Sequence, residues 1–318
     1  ALAGGGSRMD VPPDSMDLFV SCIDQHKKYR ARTRSSKDNI QRRSLTMAPA
    51  NSDGHAEKYF PQGVVEETWP EPKKEFYFTP HVRSTPADQG NRCFGCGTEL
   101  SESLFARVPY CEYYGKYFCL KCHTNDSSII PARILSQWDF KLYPVSIYAH
   151  KFIRETRKEP VYDLSVIHPQ LYKMVPELRK IKMLRKQLYY MKDFILSCSN
   201  VRELPKYTNL IHSRQHIFYD TDFYSLVDFQ EVTNSKLLQF LRNSSEAFIK
   251  HIMGCQLCLL KGSICEFCED KKPIYSFHIV STAQCPGCKG FFHRDCFLKN
   301  PNKCPRCFRI VSRRYNKT

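Results

Sequence analysis

No apolar run in the chain approaches the roughly 18 residues needed to cross a bilayer, so no membrane-spanning helix is expected. The opening residues, "ALAGGGSRMD", lack the apolar core of a secretory signal and read as a Gly-rich, vector-derived lead. Acidic residues are sparse, 32 against 48 Lys and Arg, for a formal charge of +16. No internal repeat appears beyond short Cys knuckles, and no nucleophile, acid/base pair or phosphate-cradling loop stands out. No catalytic residue is therefore assigned, and a non-enzyme is expected. What the chain has in quantity is cysteine, 16 residues, mostly in Cys-x2-Cys or His-x2-Cys pairs. A two-residue gap lets both side chains converge on one tetrahedral ion, which points to zinc rather than disulfides and to a reducing compartment.

Zinc also tempers the charge. A four-Cys site carries −2 and a three-Cys, one-His site −1, so two of each lower the total to about +10. Residues 1–60, with the basic run "HKKYRARTRSSKDNIQRR", read as a mobile basic tail, and 61–90 as a lead-in rich in proline and aromatics. Residues 91–310 form the expected zinc-binding domain: knuckles at 91–128, a helical block at 129–254 and a second zinc module at 255–310, before a short basic tail at 311–318. The expected fold is mainly α, with small β knuckles held by zinc.

Within the helical block, Pro131 suits the first turn of "PARILSQW", and a helix through Ile147, Tyr148 and Phe152 must stop before Pro160. The strongest helical pattern begins near Pro176, where Met174, Leu178, Ile181, Leu184, Leu188, Met191 and Ile195 recur every three or four residues. Its opposite face carries Arg179, Met183, Lys186 and Tyr190, either an ordinary solvated face or a surface for a protein partner. A last helix, "NSKLLQFLRNSSEAFIKHIM", buries Leu237, Leu241, Phe248 and Ile252 and delivers the chain to Cys255.

The C-terminal block offers eight ligands in four pairs: Cys265 and Cys268, Cys285 and Cys288, His293 and Cys296, Cys304 and Cys307. Thiolate-rich sites of this kind are normally closed and structural. In the N-terminal block Cys93, Cys96, Cys119 and Cys122 make a four-Cys site. Cys111 stands alone, Cys255 and Cys258 lack a second pair, and Cys22 and Cys198 are expected to be free thiols. His251 lies four residues before Cys255, on one helical face with it, while His123 directly follows Cys122; either can supply a histidine ligand.

Two module resemblances organise these ligands. The order in the C-terminal block resembles cross-brace modules of the RING and PHD kind, which implies that Cys265, Cys268, His293 and Cys296 share one ion and Cys285, Cys288, Cys304 and Cys307 another. "YCEYYGKYFCLKC" resembles the centre of a FYVE finger with Tyr114 in a ligand position. That likeness implies that Cys111 shares an ion with the spare pair Cys255 and Cys258, with His251 or His123 completing it. Four zinc ions are expected in all, and three at the least.

On a larger scale, "CFGCGTELSE", "YCEYYGKYFCLKCH", "IIPARILSQWDF", "GCQLCLLKGSICEFCED" and "CKGFFHRDCF" with its following "CPRC" resemble, in this order, the Rubicon-homology domain of endosomal and autophagy adaptors. The resemblance covers about residues 90–310. It implies a monomeric adaptor domain that binds the GTP-bound late-endosomal Rab GTPase, Rab seven, at the cytoplasmic face of late endosomes, lysosomes or autophagosomes, and that regulates their maturation. Two other functions compete. A RING-type ubiquitin ligase would use Phe267, Phe308 and Arg309 beside the knuckles. A FYVE-like phosphoinositide reader would need a basic run before Cys111, where "ARVPY" offers only Arg107; attraction to acidic membranes would then rest on the 27–43 run. Nucleic acid is not expected as a partner, because the zinc spacing is not that of a two-Cys, two-His finger.

Overall fold

The computed structural model describes residues 69–100, 108–202, 205–300 and 303–315. The N-terminal basic tail, Cys22 and Arg107 lie outside the described residues. The described residues are mainly helical, with four two-stranded antiparallel sheets, and the chain forms two compact units that divide between Glu155 and Thr156. No helix among the described residues is long and apolar enough to cross a membrane.

In the first unit, β1 (Tyr110–Cys111) turns through Gly115 into β2 (Lys116–Tyr117), with Cys111 opposite Lys116. β3 (Ser127–Ile129) leads to α1 (Pro131–Gln137) and returns along β4 (Leu142–Pro144). Pro131 opens α1, where its missing N–H costs nothing, and Trp138 closes it in a left-handed cap. α2 (Ile147–Thr156) follows, burying Ala149, Phe152 and Ile153.

The turn between β1 and β2 shows what replaces the missing FYVE ligand. Tyr114 is buried, and its ring meets those of Tyr77, Phe94, Tyr113 and Phe118 at centroid separations of 5.2 to 6.2 Å. An aromatic cluster thus fills the space around this turn, and Tyr113 further donates its hydroxyl to the Glu75 carbonyl at 2.6 Å. Burial pushes the Tyr114 phenol well above its ordinary value, so it stays neutral. Gly115 completes the turn at φ +64°, and a Cβ there would stand 2.4 Å from His81 Cβ. Gly115→Ala is expected to cost about 3 kcal/mol from left-handed strain and overpacking combined. Urea unfolding measures it, and a loss under about 1 kcal/mol would mean that His81 does not hold this turn.

In the second unit β5 (Tyr162–Asp163) precedes the long helix α3 (Pro176–Leu196). β6 (Phe223–Tyr224) pairs with β5, then α4 (Leu226–Thr233) leads to α5 (Lys236–Gly254). α3 and α5 pack together: Leu178, Ile181, Leu188, Met191 and Ile195 are buried from one, Leu237, Leu241, Phe248 and Ile252 from the other. Two members of the expected stripe differ. Met174 is exposed because it ends a separate short helix, Leu171–Met174, before α3 begins, and Leu184 is only half-buried.

The inward face of α3 also carries a charge that periodicity conceals. Arg185 is fully buried, and its Nη2 donates to the carbonyls of Phe223 (2.7 Å), Asp220 (3.0 Å) and His216 (3.3 Å). Its guanidinium lies 4.4 Å from the Tyr224 ring centroid. The nearby capping box of α4 buries Asp228, which accepts from Ser225 N and Oγ and pairs with His216 Nε2 at 2.8 Å. Although burial opposes ionisation, the His216 bond and charge hold the Asp228 carboxyl down at about 2.

After α5 come β7 (Thr282–Gln284) and β8 (Phe291–His293), with Ala283 opposite Phe292. Phe292 packs with Ile274, Phe267 and Phe297 into a small core that four zinc-type pairs surround. The terminal helix α6 (Pro305–Tyr315) extends into residues expected to be tail.

Candidate metal centres

Among the described residues, four groups of Cys and His side chains converge, each with all its ligand atoms within 4.8 Å of one another. A Zn–S bond of about 2.3 Å at tetrahedral angles puts two sulfurs about 3.8 Å apart, which gives a test of fit. The observed sulfur pairs meet it: 3.6 Å for Cys96 and Cys119, 3.7 Å for Cys198 and Cys255, 3.6 Å for Cys285 and Cys307, and 3.6 Å for Cys288 and Cys304. The two His contacts are shorter, as the shorter Zn–N bond requires: His251 Nε2 to Cys258 Sγ is 3.5 Å and His293 Nδ1 to Cys268 Sγ is 3.4 Å. The donor sets suit a divalent ion with tetrahedral thiolate and imidazole ligands.

The first group is Cys93, Cys96, Cys119 and Cys122. Backbone N–H groups of Gly95 and Cys119 donate to Cys93 Sγ at 3.4 and 3.2 Å; burial pushes the free thiol up, and these bonds oppose that rise. The Thr98 hydroxyl and backbone bring the Cys96 thiol down to about 6, toward the thiolate form that binds metal.

In the C-terminal module, Cys265, Cys268, His293 and Cys296 form one group, and Cys285, Cys288, Cys304 and Cys307 another. Successive pairs therefore alternate between two centres. His293 is aimed by the end of β8, while Cys304 immediately precedes α6 and Cys307 lies in its first turn. At Cys285 the backbone N–H groups of Cys288 and Gly287 outweigh burial and bring the thiol to about 7.

The remaining group differs from expectation in one member: it consists of Cys198, His251, Cys255 and Cys258, with Cys198 in place of Cys111. Cys198 was expected to be a free thiol because it has no Cys partner at knuckle spacing. It enters by helix geometry instead: α3 ends at Leu196, and the next turn points Cys198 Sγ at Cys255. His251 sits in the last turn of α5 and Cys255 caps that helix, so the spacing of four does bring them together. Burial and the charges of Lys261 and Lys206 lower the His251 pKa, favouring the neutral imidazole that a metal requires. Asn200 Nδ2 donates to Cys255 Sγ at 3.5 Å. This centre joins the C-terminal ends of α3 and α5, the two longest helices among the described residues, across 57 residues of chain.

Cys111 and His123 belong to none of the four groups. Cys111 is buried, its Sγ accepts the Ser146 N–H at 3.2 Å, and burial pushes its thiol up, so it is a neutral core residue. The His123 side chain is buried near Phe118, and its Nδ1 accepts from Asn125 N at 3.3 Å. The FYVE likeness mispaired Cys111 because the aromatic cluster at Tyr114 replaces a ligand locally, with no remote pair needed.

On the outer face of α3, Arg179, Met183 and Lys186 are exposed. Tyr190 is half-buried: its ring meets Phe291 edge-on at 5.2 Å, and its hydroxyl donates to Gln284 Oε1 at 3.4 Å. An apolar hollow of about 410 Å³ adjoins this face, lined by Met183, Leu184, Phe277, Ile279 and Val280 among others.

The Rubicon Homology Domain profile matches residues 109–312. The human "Protein associated with UVRAG as autophagy enhancer" is 34% identical over 256 residues, covering 78% of this chain and 38% of that protein. The mouse "Run domain Beclin-1-interacting and cysteine-rich domain-containing protein" is 34% identical over 251 residues, 77% of this chain and 26% of that protein. The Drosophila melanogaster "Differentially expressed in FDCP 8 homolog" is 35% identical over 229 residues, 72% and 46% respectively. The chain thus spans less than half the length of each of these relatives, and the name of the first describes association and enhancement of autophagy.

Proposed function

We propose a function from one premise: this chain belongs to the Rubicon Homology Domain family. It is a non-enzymatic, autophagy-related adaptor domain in which four zinc ions hold a rigid surface for the GTP-bound late-endosomal Rab GTPase, Rab seven. The observation that carries this reading is the clamp formed by Cys198, His251, Cys255 and Cys258. It fixes the ends of α3 and α5, so the outer face of α3, with Arg179, Met183 and Lys186, is ordered before any partner arrives. Order established in advance lowers the entropic cost of association, and it suits a partner whose switch loops are themselves ordered only with GTP. Arg and Met are residue types enriched where proteins meet, and the hollow beside Met183 offers an apolar seat. Tyr190, engaged by Phe291, buttresses that face from within. The domain acts at the cytoplasmic face of late endosomes, lysosomes or autophagosomes, as a monomer.

Capture by the GTP-loaded Rab is expected to exceed capture by the GDP-loaded form at least tenfold, and a strong zinc chelator is expected to abolish it by unfolding the domain. Met183→Ala combined with Lys186→Ala should lower capture at least tenfold with zinc content unchanged. Equal capture of the two nucleotide states would remove the effector reading. Unchanged capture by the double variant would move the interface elsewhere.

A further inference from the structure

The four groups differ in how far solvent reaches their sulfurs. Among the described residues, Cys96 is the only exposed cysteine of any group, and Cys119 beside it is half-buried. Their sulfurs lie 3.6 Å apart, so the first centre turns an edge of two accessible sulfurs to solvent, while Cys93 and Cys122 are buried. No other group offers such an edge. Cys198 and Cys255 are 1% and 7% exposed, and the pairs Cys285 with Cys307 and Cys288 with Cys304 each contain a buried sulfur. Cys268 and Cys296, beside His293, are half-buried and neither is exposed. Access separates these sulfurs because coordination keeps every ligand sulfur a thiolate, whatever surrounds it.

The backbone at this edge also permits a bond between the two. Cys96 lies in a turn between Gly95 and Gly97, and Cys119 lies outside any helix or strand. Their sulfurs can close from 3.6 Å to the roughly 2.05 Å of a disulfide without breaking a regular element. Trp69 rests against Gly97, where a Cβ would stand 2.5 Å from the indole, and donates its Nε1–H to the Phe94 carbonyl at 3.3 Å. It covers the glycine end of the knuckle and leaves Cys96 open.

We propose that Cys96 and Cys119 form an oxidation site: hydrogen peroxide converts them to a disulfide, and the first centre gives up its ion. The inference rests on the zinc occupancy proposed above and is independent of the α3 face. The Cys96 sulfur attacks one peroxide oxygen, the O–O bond breaks, and hydroxide leaves a cysteine sulfenic acid behind. The Cys119 thiolate then attacks the Cys96 sulfur, so that the S–S bond forms and the S–O bond breaks, releasing a second hydroxide. Two electrons pass from the sulfurs to the peroxide, and two protons from solvent turn the hydroxides into water. Cys93 and Cys122 remain, too few donors to close a structural zinc site. The clamp at the ends of α3 and α5 keeps all four of its ligands.

The test uses the whole zinc-loaded chain carrying Cys22→Ser, which removes the cysteine of the basic tail, and graded hydrogen peroxide. Zinc content before oxidant reports occupancy by itself; a chromogenic chelator then follows release, and peptide mapping without reduction locates the disulfides. The first equivalent of zinc is expected to leave at least fivefold faster than the second, in step with a Cys96–Cys119 disulfide. A dithiol with added zinc should restore it. Cys96→His supplies a zinc donor that cannot form a disulfide, so it should slow that first loss at least fivefold. If this variant fails to load the first centre, the disulfide map of the Cys22→Ser protein decides alone. A first disulfide at any other pair, release of all ions together, or zinc loss with Cys96 and Cys119 still reduced overturns the proposal. Untreated protein whose first centre holds no zinc overturns the occupancy itself, before any oxidant is added.

Discussion

Replacing Cys198 with Ser is expected to take one zinc ion from the protein and loosen its two longest helices, whereas Cys111→Ser is expected to leave the zinc content at four. Cys198 is one of four converging donors, 3.7 Å from Cys255, while Cys111 accepts the Ser146 N–H and belongs to none of the four groups. A serine hydroxyl is a poor replacement for a thiolate on zinc, and the binding energy of such an ion is largely folding energy, about 10 kcal/mol or more in small zinc domains. Losing even half of it is comparable to the whole stability of a domain. The clamp spans 57 residues, so its loss also releases the long connection between α3 and α5 to explore open conformations. Metal content after dialysis against a weak chelator measures the first effect, and amide exchange in Pro176–Leu196 and Lys236–Gly254 the second. A zinc content of three in the Cys111 variant with four in the Cys198 variant would restore the long-range pairing of residue 111 and sink the assignment of Cys198 as a ligand.

Arg185→Leu is expected to destabilise the helical unit by about 3 to 5 kcal/mol, the range for breaking a buried charged network. The substitution removes a donor shared by three backbone carbonyls, at Phe223, Asp220 and His216; His216 still accepts the Asp220 N–H, and a buried carbonyl left unpaired costs about 1 to 3 kcal/mol. It also removes the cation over Tyr224 and one of the charges that favour the ionised form of Asp228. Leu is apolar and fits a helix, so the change isolates the polar contribution from helix propensity. Urea denaturation followed by circular dichroism gives the number. A loss below about 1 kcal/mol would mean that water or a rearranged corner takes over those carbonyls, and Arg185 would then be a passenger in the core.

Pair spacing was enough to find the knuckles of three of the four centres, because a Cys-x2-Cys knuckle is a local object whose two thiols converge whatever the rest of the chain does; which C-terminal pairs share an ion came from the cross-brace likeness. The apolar stripe of α3 and the Leu237, Leu241, Phe248 and Ile252 face of α5 were legible for the same reason, since a helix repeats over a few residues. The i to i+4 relation of His251 and Cys255 belongs to that local class. Cys198 and Arg185 do not. One lies just past a helix end with no neighbouring Cys, and the other is a cation on a helix that has a solvated face ready to take it. Their roles depend on which segment is packed against them, at separations of 31 to 57 residues, and no short-range pattern encodes that. Tyr114 makes the converse point: a ligand position was recognised by likeness, but only packing revealed that rings from Tyr77, Phe94, Tyr113 and Phe118 occupy its surroundings. Local geometry made the knuckles and the helices; long-range packing chose Cys198 over Cys111 and put a buried arginine between two helices and a turn.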